Sequence, residues 1–199
     1  MIQNYNAGIT SYALWFSEFK LCVSMYQEGN TLDDIKHASD NNNVLEMPSR
    51  DRAKRASRNL TKRLKILPEN IINRFEFLDV NNQKLVALLS MMLTNRLLNE
   101  FVYEVYRNEI ILGDRVLEER EMIEFITRKQ MESEQIAKWT DEPSKRVRGS
   151  LKTILRDAGL LKREKNIDIV LQPFIDIHLA KLMKQDHLNK ELTALGGQN

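Results

Sequence analysis

From Ser49 to Ile66 the chain obeys two spacings at once, and both belong to an α-helix. Ala53, Ala56, Leu60, Leu64 and Leu67 recur every three or four residues, while Arg50, Lys54, Arg58 and Lys62 recur every four. Only a helix gives each series its own face, so the stretch is read as a helix with a narrow apolar stripe, N-capped by Ser49. Like charges four residues apart repel by roughly 0.2–0.5 kcal/mol per pair, a strain that an anionic partner would relieve.

The same helix makes the overall charge deceptive. The chain carries a net +2, but Ser49–Ile66 holds eight Lys/Arg against Asp51, a local +7. Pro143–Lys165 holds eight more against Asp157 and Glu164, a local +6, which leaves −11 for everything else. Two basic islands in an acidic protein point to a polyanion or to acidic partners. With 42% hydrophobic and 29% charged residues the chain is expected to be globular rather than disordered, and 7 Gly and 4 Pro in 199 residues favour helix.

Along the chain, helices are expected over Ser11–Glu28, closed by Gly29, and over Thr31–Ala38, with Thr31 as N-cap and Ser39–Asn43 as a loop. This second helix and the one starting at Ser49 are helix-turn-helix-like, although their ten-residue connection is longer than that motif usually has. Pro68 precedes a helix over Glu69–Phe77, and Asn81–Ile111 is a long helical stretch broken near Thr94-Asn95. Its apolar run, Leu85–Leu93, is far shorter than the roughly 20 residues of a membrane span and reads as a buried core helix. Met1–Asn6 lacks the basic start of a secretory signal, so a cytoplasmic location is expected. Gly113-Asp114 marks a boundary between an all-helical domain, 1–114, and a second domain, 115–199.

The second domain reads as a winged helix-turn-helix. Helices are expected over Glu118–Arg128, Ser133–Trp139 and, after the turn Thr140–Pro143, Ser144–Ala158. Gly159 ends the last, and a small β-hairpin follows with Ile167–Leu171 as its β-branched strand. The second helix of such a pair enters the major groove, and here it would offer Ser144, Lys145, Arg146, Arg148, Ser150, Lys152 and Arg156, with Gly149 letting a phosphate approach the backbone. Lys162, Arg163 and Lys165 would form the wing, and Arg50, Arg52, Lys54, Arg55, Arg58 and Lys62 a second contact face.

Catalytic chemistry finds little footing. His37, His178 and His187 have no partners at metal-ligand spacing, and the lone Cys22 falls inside an apolar helix as a core thiol. Glu118, Glu119 and Glu121 look like an exposed helix start, and Gly196-Gly197 like a tail rather than a phosphate loop. Trp15, Phe16, Phe19 and Tyr26 lie at helical spacing and are read as core. No cofactor, metal, small-molecule substrate or membrane is expected.

Tyr5-Asn6-Ala7-Gly8, Glu18, Tyr26-Gln27-Glu28-Gly29 and Thr31–Ile35 carry a resemblance to a known family, continued by Ser49–Leu64, Leu67-Pro68 and Phe101–Val105. Ala137-Lys138-Trp139 and Leu155–Leu161 extend it, so that it spans roughly residues 5–161. In these stretches the chain resembles the BrxA family of bacteriophage exclusion (BREX) systems. The resemblance implies a mostly helical, non-enzymatic accessory of phage defence that binds double-stranded DNA. It also brings a comparison with the RNA-binding protein NusB and an inner-membrane label that this sequence does not support. Two other readings stay open: an adaptor docking on other BREX subunits through its basic faces, and an RNA-binding or transcription-regulatory protein.

Overall fold

The computed structural model describes Tyr5 and residues 7–196; Met1–Asn4, Asn6 and Gly197–Asn199 lie outside the described residues. A short 3-10 helix, Ala7–Ser11, comes first. Helix α1 spans Phe16–Gln27 and not Ser11–Glu28, because Trp15 adopts a left-handed conformation, φ 47°, that no α-helix can contain. Phe19, Cys22 and Val23 form its buried face. Gly29, at φ 95°, closes the turn after it.

Helix α2, Leu32–Asn42, opens on a reciprocal cap: Asp34 N–H donates to Thr31 Oγ1 at 3.1 Å, and Thr31 N–H to Asp34 Oδ2 at 2.9 Å. The helix does not stop at Ala38. Ser39 is buried with its hydroxyl on the Ala53 carbonyl, 3.3 Å away, so packing carries the helix through the polar residues that composition marks as loop. It ends at Asn43, φ 49°. Helix α3, Arg50–Ile66, starts on Ser49 as expected, with Arg52 N–H on the Ser49 hydroxyl at 3.3 Å.

Helix α4, Glu69–Arg74, and a 3-10 turn, Phe75–Phe77, lead to α5, Val80–Thr94, which is buried from Leu85 to Met92. The break falls at Asn95, whose side chain caps α6, Arg96–Phe101, by accepting from Leu98 N–H at 3.0 Å. A π-helical turn, Val102–Tyr106, and α7, Arg107–Leu112, continue it to Gly113 at φ 76°. Among the described residues no single helix is long and apolar enough to cross a membrane; the pair Val80–Thr94 and Arg96–Leu112 has the apolar length but bends by 118°.

The C-terminal part runs β1, Val116–Leu117; α8, Glu119–Glu132; α9, Glu134–Ala137; and α10, Asp141–Asp157. Then follow β2, Leu161–Glu164; β3, Ile167–Val170; α11, Ile177–Gln185; and α12, Asn189–Gly196. Helix α10 begins before Ser144, because Thr140 is the N-cap and Pro143 sits in the first turn, where no backbone N–H is needed. The hairpin is present with a two-residue tip, Lys165-Asn166, and Leu161 pairs with Val170. A third strand was not legible: β1 pairs Val116 with Ile169, giving an antiparallel sheet in the order β1-β3-β2.

Val147, Leu151, Ile154 and Leu155 turn α10 onto a hydrophobic core that continues through the N-terminal helices. Polar clasps cross the same junction. Asn82 holds the Phe174 carbonyl at 3.2 Å and the Asp176 N–H at 2.9 Å, and Tyr106 donates its hydroxyl to the Leu171 carbonyl at 2.7 Å. The buried Lys129 of α8 meets Glu100, Glu104 and Glu132 at 2.9, 2.7 and 3.1 Å, so part of the protein's acidic excess is spent inside.

Candidate nucleic-acid interface

The two basic islands, far apart in sequence, flank one short segment. A cleft of about 640 Å³ lies between Thr10 and Tyr12 on one side and α10 with the hairpin on the other, lined by Arg146, Gly149, Lys152, Thr153, Arg156 and Arg163. Tyr12 also lines a second cleft of about 300 Å³ with Arg58, Asn59 and Lys62 of α3. A third, of about 370 Å³, joins Thr10, Ser11 and Trp15 to Arg52 and Arg55. Residues 10–15, which end at the left-handed Trp15 before α1, thus line clefts with both basic helices.

On α3 the charge is uncompensated. Arg50, Arg52, Arg55, Arg58 and Lys62 are exposed and Lys54 is half-buried, and none of them forms an ion pair among the described residues. Arg63, counted in the same island, is different. It is fully buried, donating from Nε to Ser90 Oγ, from Nη1 to the Leu14 carbonyl and from Nη2 to the Ala87 carbonyl, each at 2.9 Å, with its guanidinium 4.7 Å from the Phe19 ring. Burial without a carboxylate partner pulls its pKa down to about 9. Arg63 thus anchors the segment leading into Trp15 from below.

On α10 the expected contact residues divide. Lys145 and Arg146 are exposed, but Ser144 is only 6% exposed and packs inward, a correction that follows from the helix starting earlier. Arg148 and Lys152 are committed to Glu119, at 2.8 and 2.7 Å, and their side chains are only 14% and 22% exposed. Burial works against the ionised Glu119, yet hydrogen bonds from Lys152 and Arg148 outweigh it and hold the carboxyl below the usual range. Arg156 makes a two-pronged pair with Asp168 of β3, both bonds 2.7 Å, fastening the hairpin to α10. On the wing, Lys162 pairs with Glu164 at 2.7 Å; Arg163 and Lys165 are exposed and unpaired among the described residues. Lys165 sits at the hairpin tip with φ 54°.

The glutamates at the start of α8 are therefore not a bare exposed cluster. Glu118 and Glu121 form a capping box, Glu119 neutralises α10, and Glu121 meets the buried Glu109. Burial first, then the carboxyl of Glu121, pushes Glu109 up to about 7. Cys22 is buried, and desolvation pushes its thiol up to about 12, the mark of a core thiol. No group of His, Cys, Asp and Glu among the described residues is arranged to hold a metal.

A mainly helical protein with a small antiparallel sheet, whose basic residues from α3, α10 and the hairpin line clefts that share residues 9–15, is the class that fold and surface define. The family model for BrxA matches residues 3–187, and the chain belongs to that family. It is 28% identical over 179 residues to a BREX protein BrxA of Bacillus cereus (strain H3081.97), covering 90% of each chain. An uncharacterized protein from Magnetospirillum magneticum has the same fold in its crystal structure, with a TM-score of 0.81 and 15% identity over 98% of this chain and all of the other.

Proposed function

We propose that the protein is a non-enzymatic, duplex-DNA-binding accessory of a BREX phage-defence system, acting in the cytoplasm and reading the phosphate backbone with little sequence preference. The observation that carries this is the convergence of unpaired cations from α3, α10 and the hairpin on clefts that share residues 10–15. Cations without a carboxylate partner, on concave surfaces, are what a phosphate backbone requires. The order strand, helix, short helix, helix, hairpin, with sheet order β1-β3-β2, is what a winged helix-turn-helix with α10 as recognition helix would use.

Fluorescence anisotropy with a short random duplex, titrated at several salt concentrations, tests the proposal. Binding is expected to fall steeply with salt and equally for unrelated sequences. Each phosphate left without its cation flattens the logarithmic slope by about 0.9, so changing Lys145, Arg146 and Arg163 to Glu should lower both affinity and slope. Absence of binding by the intact protein at low salt would overturn the reading. A protein-docking role is favoured by a separate observation: Phe77, Val80, Phe174 and Ile177 are exposed on segments that Asn82 ties together. Capture of other BREX subunits that survives high salt and excess duplex would support that role.

A further inference from the structure

We infer that Tyr12 is a direct, non-ionic DNA contact, inserted between two backbone-binding walls. The inference rests on the duplex-binding reading above and adds a residue that charge could not reveal. Tyr12 lines both the cleft shared with α10 and the hairpin and the cleft shared with α3. The first cleft brings Arg146, Lys152 and Arg163 around it, the second Arg58 and Lys62.

The ring is held for such a task. It is half-buried and packs edge-on against Trp15, with ring centres 6.1 Å apart. Tyr12 N–H donates to the Ile9 carbonyl at 3.3 Å, and two residues on, the Leu14 carbonyl is gripped by buried Arg63. An aromatic group held against Trp15 and lining clefts with cations from both basic helices is positioned to meet what lies beside the phosphate chains, namely sugars and base edges in a groove. Aromatic contact of this kind adds affinity without neutralising phosphate, so its signature differs from that of every basic residue nearby.

The test compares the intact protein with Tyr12→Ala, Tyr12→Leu and Tyr12→Phe, using the same random duplex across a salt series. Tyr12→Phe keeps the ring and is expected to bind within about twofold of the parent. Tyr12→Ala and Tyr12→Leu are expected to bind about tenfold more weakly with the salt slope unchanged. Tyr12→Leu keeps apolar packing, so an unchanged melting temperature in that variant shows that the fold survives and that the weaker binding comes from the missing ring. Parent-like affinity in both non-aromatic variants would overturn the inference while leaving duplex binding intact. A flattened slope would also overturn it, because Tyr12 would then only position its cationic neighbours. Failure of the parent protein to bind duplex at all would instead remove the duplex-binding reading itself.

Discussion

Glu119 sets how much of α10's charge a ligand can use. A single carboxylate holds Arg148 and Lys152, one helical turn apart, so the basic face of α10 is partly neutralised in the fold. Removing that carboxylate as Glu119→Gln is expected to tighten duplex binding by roughly three- to tenfold at low salt and to steepen the salt slope by up to about 2. The glutamate is half-exposed, so the loss of stability should stay below about 1 kcal/mol. Equal binding and slope in the variant would show that Arg148 and Lys152 serve only to join α10 to α8. Residue types alone do not distinguish these two cations from Lys145 or Arg146; the difference lies in an acid 29 residues before Arg148. Arg63, by contrast, carries a signal in its spacing. It continues the apolar line Ala53, Ala56, Leu60, Leu67 in steps of three and four, which places it on the buried face despite its charge.

Elements were legible where one face had to be buried. The spacing that predicts α3 ends where α3 ends, and the break at Asn95 falls where the sequence places it. Periodicity failed where tertiary contact decided the matter. Helix α2 runs on through Ser39–Asn42 because Ser39 finds a buried partner on α3, and β1 has only two residues and no pattern of its own. Gly149 belongs to this scale. A Cβ there would meet nothing within 4 Å, so no internal contact demands glycine in the middle of α10, where it costs about 1 kcal/mol relative to Ala. If the bare backbone serves an approaching phosphate, Gly149→Ala should raise the melting temperature by roughly 2–4 °C while weakening duplex binding. A melting curve and a binding isotherm on the same sample decide it: higher stability with unchanged affinity would leave the glycine without a role in binding.

For the molecule as a whole, the junction of α7 and α8 couples stability to pH. Glu109 is buried beside Glu121 and titrates near 7, whereas an unfolded glutamate titrates near 4.5. Between those values the native state holds the extra proton, so stability is expected to fall as pH rises from about 4.5 to 7 and to level off above. Glu109→Gln should remove that decline and leave the variant more stable than the parent at pH 8, as melting temperatures across the range would show. A parental decline that persists in the variant would place the titrating group elsewhere.

The segment between the two basic helices has one more consequence, for the order of events in folding. Residues 7–12 lie against a helix that the ribosome completes only at Asp157, and the hairpin that walls the same cleft is finished at Val170. Closure of so long a loop is among the slowest contacts a chain of this size makes. Both stretches of positive charge exist in an incomplete translation product, yet the surface they share does not. Any polyanion that bound only this shared surface would favour the finished form by mass action.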